Sequence, residues 1–109
     1  MIKASFYREG EDLRLTIKGH AGYGYRGGDI VCSAVSAIFY ALVGYLCNLR
    51  RGDITVNAIE EGYADIICSS ASEEAMKQTC IGLIQVEKTF PAYIKVENRL
   101  WSWKIKKSA

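Results

Sequence analysis

Three observations predict an α+β fold of ββαββαβ order, a mainly antiparallel sheet carrying two helices. Short segments alternate apolar and polar side chains with period two, the mark of half-buried strands. These segments come in pairs joined by glycine-bearing turns, as hairpins do. Two longer segments carry apolar residues at helical spacing instead. The 109 residues, 50% of them hydrophobic, suit one domain over residues 1–109 with a core of its own. A domain of this size buries a modest share of its surface and gains from pairing with a second copy.

In residues 2–7, Ile2, Ala4 and Phe6 share one face against Lys3, Ser5 and Tyr7. In residues 13–18, Leu13, Leu15 and Ile17 stand against Arg14, Thr16 and Lys18, and the turn Arg8-Glu9-Gly10-Glu11-Asp12 makes the two a hairpin. The stretch Ile30–Leu49 has no charged residue and reads as a helix. One of its stripes runs through Val31, Ala34, Val35, Ile38, Leu42, Tyr45, Leu46 and Leu49, and a second through Cys32, Ser36, Phe39, Tyr40, Val43 and Cys47. A helix apolar nearly all round needs cover on both sides. Arg50, Arg51 and Gly52 are cations and a glycine placed to end it. Two further strands, 54–59 with Ile54, Val56 and Ala58 inward and 63–69 with Ala64, Ile66 and Cys68 inward, are joined by Glu60-Glu61-Gly62. Ser70 and Glu73 have capping-box spacing and open a second helix over about 72–90, with Met76, Cys80, Leu83 and Phe90 on its apolar stripe. Pro91 closes it. The last strand covers 93–98, and Trp101, Trp103 and Ile105 continue the alternation into the tail.

A net charge of +2 is too mild to demand a nucleic-acid partner. The patch of Arg50, Arg51, Lys104, Lys106 and Lys107 beside the tail tryptophans keeps one rival open, a non-enzymatic ribosome- or RNA-associated module. Cysteines 32, 47, 68 and 80 form no C-x-x-C pair and no secreted disulfide framework. Nor do their spacings with His20 match a common zinc set, so neither a metal nor another cofactor is expected. The N-terminus lacks a signal-peptide core, and the expectation is a cytoplasmic protein. Ile30–Leu49 reaches the length of a membrane span. Ser33, Ser36, Gly44 and Asn48 within it favour a central helix of the domain.

The chemistry gathers where that helix begins. Four glycines stand among residues 22–28, in Gly22-Tyr23-Gly24-Tyr25-Arg26-Gly27-Gly28. The loop follows His20, the chain's one histidine, which lies just past the second strand. Asp29 is a residue type that caps helices; with Asp29 as N-cap, Cys32 falls at N3 among unpaired N–H groups. That end carries roughly half a positive elementary charge, which stabilises a thiolate. Residue types and spacing leave two readings of Cys32, a nucleophile served by His20 or a small buried hydrophobe. Phosphate cradling by the glycines is opposed by Asp29 and by the missing G-x-x-x-x-G-K-[ST]. Tyr23, Tyr25 and Arg26 are candidates to line a substrate groove.

The stretches Gly19-His20-Ala21 and Gly28-Asp29-Ile30-Val31-Cys32-Ser33-Ala34-Val35-Ser36 resemble the signature of the bacterial ribosomal-processing cysteine proteases, the Prp family. The element order and length agree over essentially the whole chain. The resemblance implies a cytoplasmic, homodimeric endopeptidase that trims an N-terminal extension from the twenty-seventh protein of the large ribosomal subunit. It needs no membrane and no direct nucleic acid. It puts the catalytic dyad on His20 and Cys32 and the supporting motif residues on Gly19, Asp29 and Ser36. Ser33 departs from the alanine or glycine that commonly follows the cysteine. In the implied mechanism, backbone N–H groups at the helix start hold the oxyanion. The residues 22–27 are expected to close on substrate and to bring His20 to Cys32 only then.

Overall fold

A computed structural model of the chain describes residues 1–21 and 26–107, the side chains of 26–29 excepted. Eight elements follow in order: β1 (Ile2–Glu9), β2 (Asp12–Lys18), α1 (Arg26–Leu49), β3 (Thr55–Glu60), β4 (Tyr63–Cys68), a 3-10 turn (Ser70–Ser72), α2 (Glu73–Thr89) and β5 (Ile94–Asn98). The sheet runs β3-β4-β2-β1-β5. All neighbours are antiparallel except β1 and β5, which pair in parallel with Ile2 opposite Ile94. This is the α+β, ββαββαβ arrangement that the alternation patterns predict.

The core is a two-layer contact between one sheet face and the helices. Phe6, Leu13, Leu15 and Ile66 from the sheet are buried with Val31, Val35, Phe39 and Leu46 from α1 and Met76, Cys80 and Leu83 from α2. Fully burying a side chain of this size stabilises the fold by about 1.5–3 kcal/mol. The opposite face of the central strands is tied together by charge. Arg14 of β2 donates through Nε to Asp65 of β4 at 2.8 Å and also pairs with Glu9, while the Tyr63 hydroxyl donates to Asp65 at 3.2 Å.

Several details correct the sequence reading. The helix begins at Arg26 rather than Ile30, so Asp29 lies inside α1 and is not its N-cap. Cys32 accordingly sits in the second turn, not at N3. Two glycines disfavour helix, but adding residues to an existing helix costs far less than starting one. The anchored apolar segment from Val31 onward therefore extends backward through Gly27 and Gly28. At the other end no cation stands in the last turn of α1. Instead Arg51 and Gly52, both at positive φ, turn the chain, and Arg50 donates to the Ala71 carbonyl at 3.0 Å.

The inward set proposed for this region fails at Val56, which is 50% exposed because β3 is an edge strand with a register shift between Val56 and Ala58, whereas Ile54 packs against the core and Ala58 is half-buried. Ser70 and Glu73 form no capping box. Ser69 caps the 3-10 turn, accepting from the Ala71 amide, and Glu73 accepts from the Trp101 indole at 3.1 Å. The tail does not continue as a strand, because Asn98 accepts from the amides of Leu100 and Trp101 in an Asx-type turn. The two indoles then stack on each other, centroids 5.0 Å apart, with Trp101 also against Phe6. Engaged in this way, they are not a free platform for bases, which weakens the RNA-module reading.

Candidate active site

His20 is placed by a backbone that only glycine permits. Gly19, directly after β2, has φ +93, and a Cβ there would meet the Met1 carbonyl oxygen at 2.4 Å. Its amide donates to the Gly62 carbonyl at 2.9 Å, which ties the end of β2 to the turn between β3 and β4. Antiparallel pairing of β2 with β4 makes this possible, since Lys18 lies opposite Tyr63. The His20 ring stands exposed beside that turn. Cys32 reaches the same place from α1, half-buried.

A cavity of about 490 Å3 has both His20 and Cys32 in its wall. Gly19 and Ser36 line it too, so the structure gathers four of the sequence-predicted site residues. Ser36, one turn beyond Cys32, is exposed to the cavity side of α1. No hydrogen bond joins the His20 ring to Cys32, an arrangement common for catalytic pairs without substrate. Residues 22–25 (Gly22, Tyr23, Gly24, Tyr25) and the side chains of Arg26 and Asp29 lie outside the described residues. The expected closure of that loop over substrate lies there as well. Among the described residues no group of three His, Cys, Asp or Glu side chains is disposed to hold a metal ion.

The sequence reading missed the cavity's far wall. Ile59, Glu60, Glu61, Gly62 and Tyr63 bring the β3–β4 turn to the histidine, and Phe39 and Tyr40 continue the wall along α1. The one signal for the turn was its glycine at the sheet end where β2 also finishes. That link appears only once β2 and β4 are known to be neighbours.

The four thiols differ in kind. Burial pushes both Cys68 and Cys80 up to about 12, helped at Cys68 by the charges of Asp53 and Asp12 and at Cys80 by Glu87. Those two remain neutral core thiols. Cys32 alone faces a cavity that also holds an imidazole, and such a pair is suited to covalent catalysis by a thiolate.

The sequence profile of the family described as "Cysteine protease Prp" matches residues 1–95. The chain belongs to the Prp family of cysteine proteases. Solved structures agree in fold. The essential ribosomal processing protease Prp from S. aureus, in complex with a substrate peptide, matches with TM-score 0.77 and 20% identity over 91% of this chain and 100% of that one. The same protease with a covalently linked product peptide gives 0.75 and 22% over the same shares. SMU.848 from Streptococcus mutans gives 0.69 and 26% over 90% and 93%. No curated protein matches the chain in sequence.

Proposed function

We propose that the chain is an endopeptidase that trims a short N-terminal extension from the twenty-seventh protein of the large ribosomal subunit, with His20 and Cys32 as its dyad. The observation that carries this is the meeting of the sole histidine and a half-buried cysteine on one cavity wall in a Prp-family chain. Membership of that family and the ribosomal-processing role of the S. aureus relative support the choice of substrate.

His20 takes the Cys32 proton, and the thiolate adds to the scissile carbonyl. The tetrahedral intermediate collapses as His20 protonates the leaving amine, and the N-terminal extension remains as a thioester on Cys32. Water, deprotonated by His20, then hydrolyses the thioester and restores the thiol. Because α1 starts at Arg26, the Cys32 amide lies within the helical i→i−4 ladder. The donors that hold the oxyanion therefore come from other groups around the cavity, not from the amide of Cys32.

The protein acts in the cytoplasm, where its substrate is made, and as a homodimer. Support for the dimer is apolar surface left open on α1, where Tyr40, Tyr45 and Leu49 are 56%, 42% and 71% exposed on different sides of the helix. The deciding experiment incubates the protein with the extended ribosomal protein and weighs the products. One cut near the N-terminus that disappears in both Cys32→Ala and His20→Ala is the expected result. Unchanged cleavage by either variant would overturn the dyad.

A further inference from the structure

We propose that Gly62 is a positioning residue for His20, the seat on which the imidazole rests. This deepens the dyad reading above and rests on it for its catalytic consequence. Gly62 occupies the β3–β4 turn at φ +77, and the Gly19 amide donates to its carbonyl at 2.9 Å. That bond holds the turn against the residue that precedes His20. Turn and histidine are thus locked to each other through backbone, and the side chain is placed by what the turn leaves free.

What it leaves free is the space of one missing methyl group. A Cβ on Gly62 would stand 2.8 Å from His20 Nε2, 3.2 Å from Cε1 and 3.7 Å from Cδ2. The tip of the ring, where Nε2 lies, therefore rests against the glycine α-carbon. A positive φ alone does not explain the residue. Gly10 and Gly52 have φ +60 and +74, and a Cβ on either would meet nothing within 4 Å. At Gly62 the backbone angle favours glycine, and a Cβ would in addition force the imidazole to shift. Among the described residues no hydrogen bond to the His20 ring is found, so van der Waals contact with this turn is a support they do supply. A displacement of about 1 Å in a catalytic group can lower the rate by about 100-fold. A methyl group at residue 62 displaces the ring by a distance of that order.

The matched control is built into the chain. Gly52→Ala imposes nearly the same backbone strain as Gly62→Ala, with no imidazole to meet. We expect Gly62→Ala to lower kcat by roughly 10- to 100-fold with KM little changed, and Gly52→Ala to leave kcat near wild type while lowering the melting temperature similarly. His20 is the only histidine, so its ring C–H signals in an NMR spectrum are read without assignment. They should shift in Gly62→Ala and stay in place in Gly52→Ala. Should Gly62→Ala not fold, Gly62→Asn replaces it, since asparagine tolerates positive φ yet still carries a Cβ. Imidazole signals unmoved by a folded residue-62 variant would overturn the proposal, whether or not peptide is cut. Wild-type kcat in such a variant would overturn it too. Cleavage that persists in His20→Ala would instead overturn the dyad and leave the seat, read by the ring signals, standing.

Discussion

At the scale of single residues, the question is which thiol can react. Cys68 and Cys80 are buried and held protonated, Cys47 is exposed, and Cys32 is half-buried on the cavity. Iodoacetamide at pH 8 should therefore add to the folded protein at Cys47 and Cys32 and reach Cys68 and Cys80 only in denaturant, as peptide mass mapping would show. Labelling of Cys80 at the rate of Cys47 would contradict the burial. Among cysteine-to-alanine variants, only Cys32→Ala should abolish turnover, by more than about 1,000-fold as for other covalent nucleophiles. Cys47→Ala should be silent in both activity and melting temperature. The two residues proposed to react stood out in the sequence because each is marked locally, the histidine by being alone and the cysteine by lying near the start of an uncharged apolar stretch. Gly62 was not, since its meaning is a contact made across two strands that are distant in the chain.

At the scale of elements, the pairing of β2 with β4 matters most, because it carries the Gly62 turn to His20. Arg14 and Asp65 clamp that pair on the sheet face away from the helices. Hydrogen bonds from Arg14 hold the Asp65 carboxyl below its usual range, more than offsetting its burial. A carboxyl with a lowered folded pKa stabilises the protein above its unfolded value, near 4, and loses that contribution as pH falls through the folded value. Asp53 acts in the same sense: burial pushes it up, but hydrogen bonds from Ser72 and Ser69 outweigh burial. Urea midpoints should hold steady from pH 7 to 5 and fall below about pH 4. Asp65→Asn should start lower at pH 7 and fall less steeply. An identical slope for that variant would remove the clamp from the account. On the helix side, Leu83 is fully buried, and Leu83→Ala should cost about 2–5 kcal/mol. The strands and both helices were legible from periodicity, whereas their ends were not. The start of α1 and the turn at Asn98 were decided by propagation and by a side-chain hydrogen bond, which leave little trace in an apolar pattern.

At the scale of the whole molecule, one face remains to be accounted for. Ile30–Leu49 is apolar and long enough to cross a membrane, yet Val31, Val35, Phe39, Leu42 and Leu46 within it are buried against the sheet and α2. The sequence reading required cover on both sides of this helix, and a single chain supplies one. Tyr45 and Leu49, one turn apart near the end of α1, are exposed, and exposed apolar side chains that neighbour one another favour a partner surface. In a closed pair related by a two-fold axis, the same patch serves both subunits, so one substitution strikes the interface twice. Sedimentation of the wild-type protein at micromolar concentration should give a species of twice 12.1 kDa. Tyr45→Glu or Leu49→Glu should shift it toward the monomer while leaving the circular dichroism spectrum unchanged, because neither side chain belongs to the buried core. Tyr40 is exposed too, but it lies across the helix from Leu49, in the wall of the candidate cavity. If the pair covers Tyr40 as well and so reaches the cavity, dissociation by Leu49→Glu should raise KM at low protein concentration, and the loss should recover as concentration increases. A wild-type protein that sediments only as a monomer would leave Tyr45 and Leu49 without a partner and would require the cavity wall at Tyr40 to be complete within one chain.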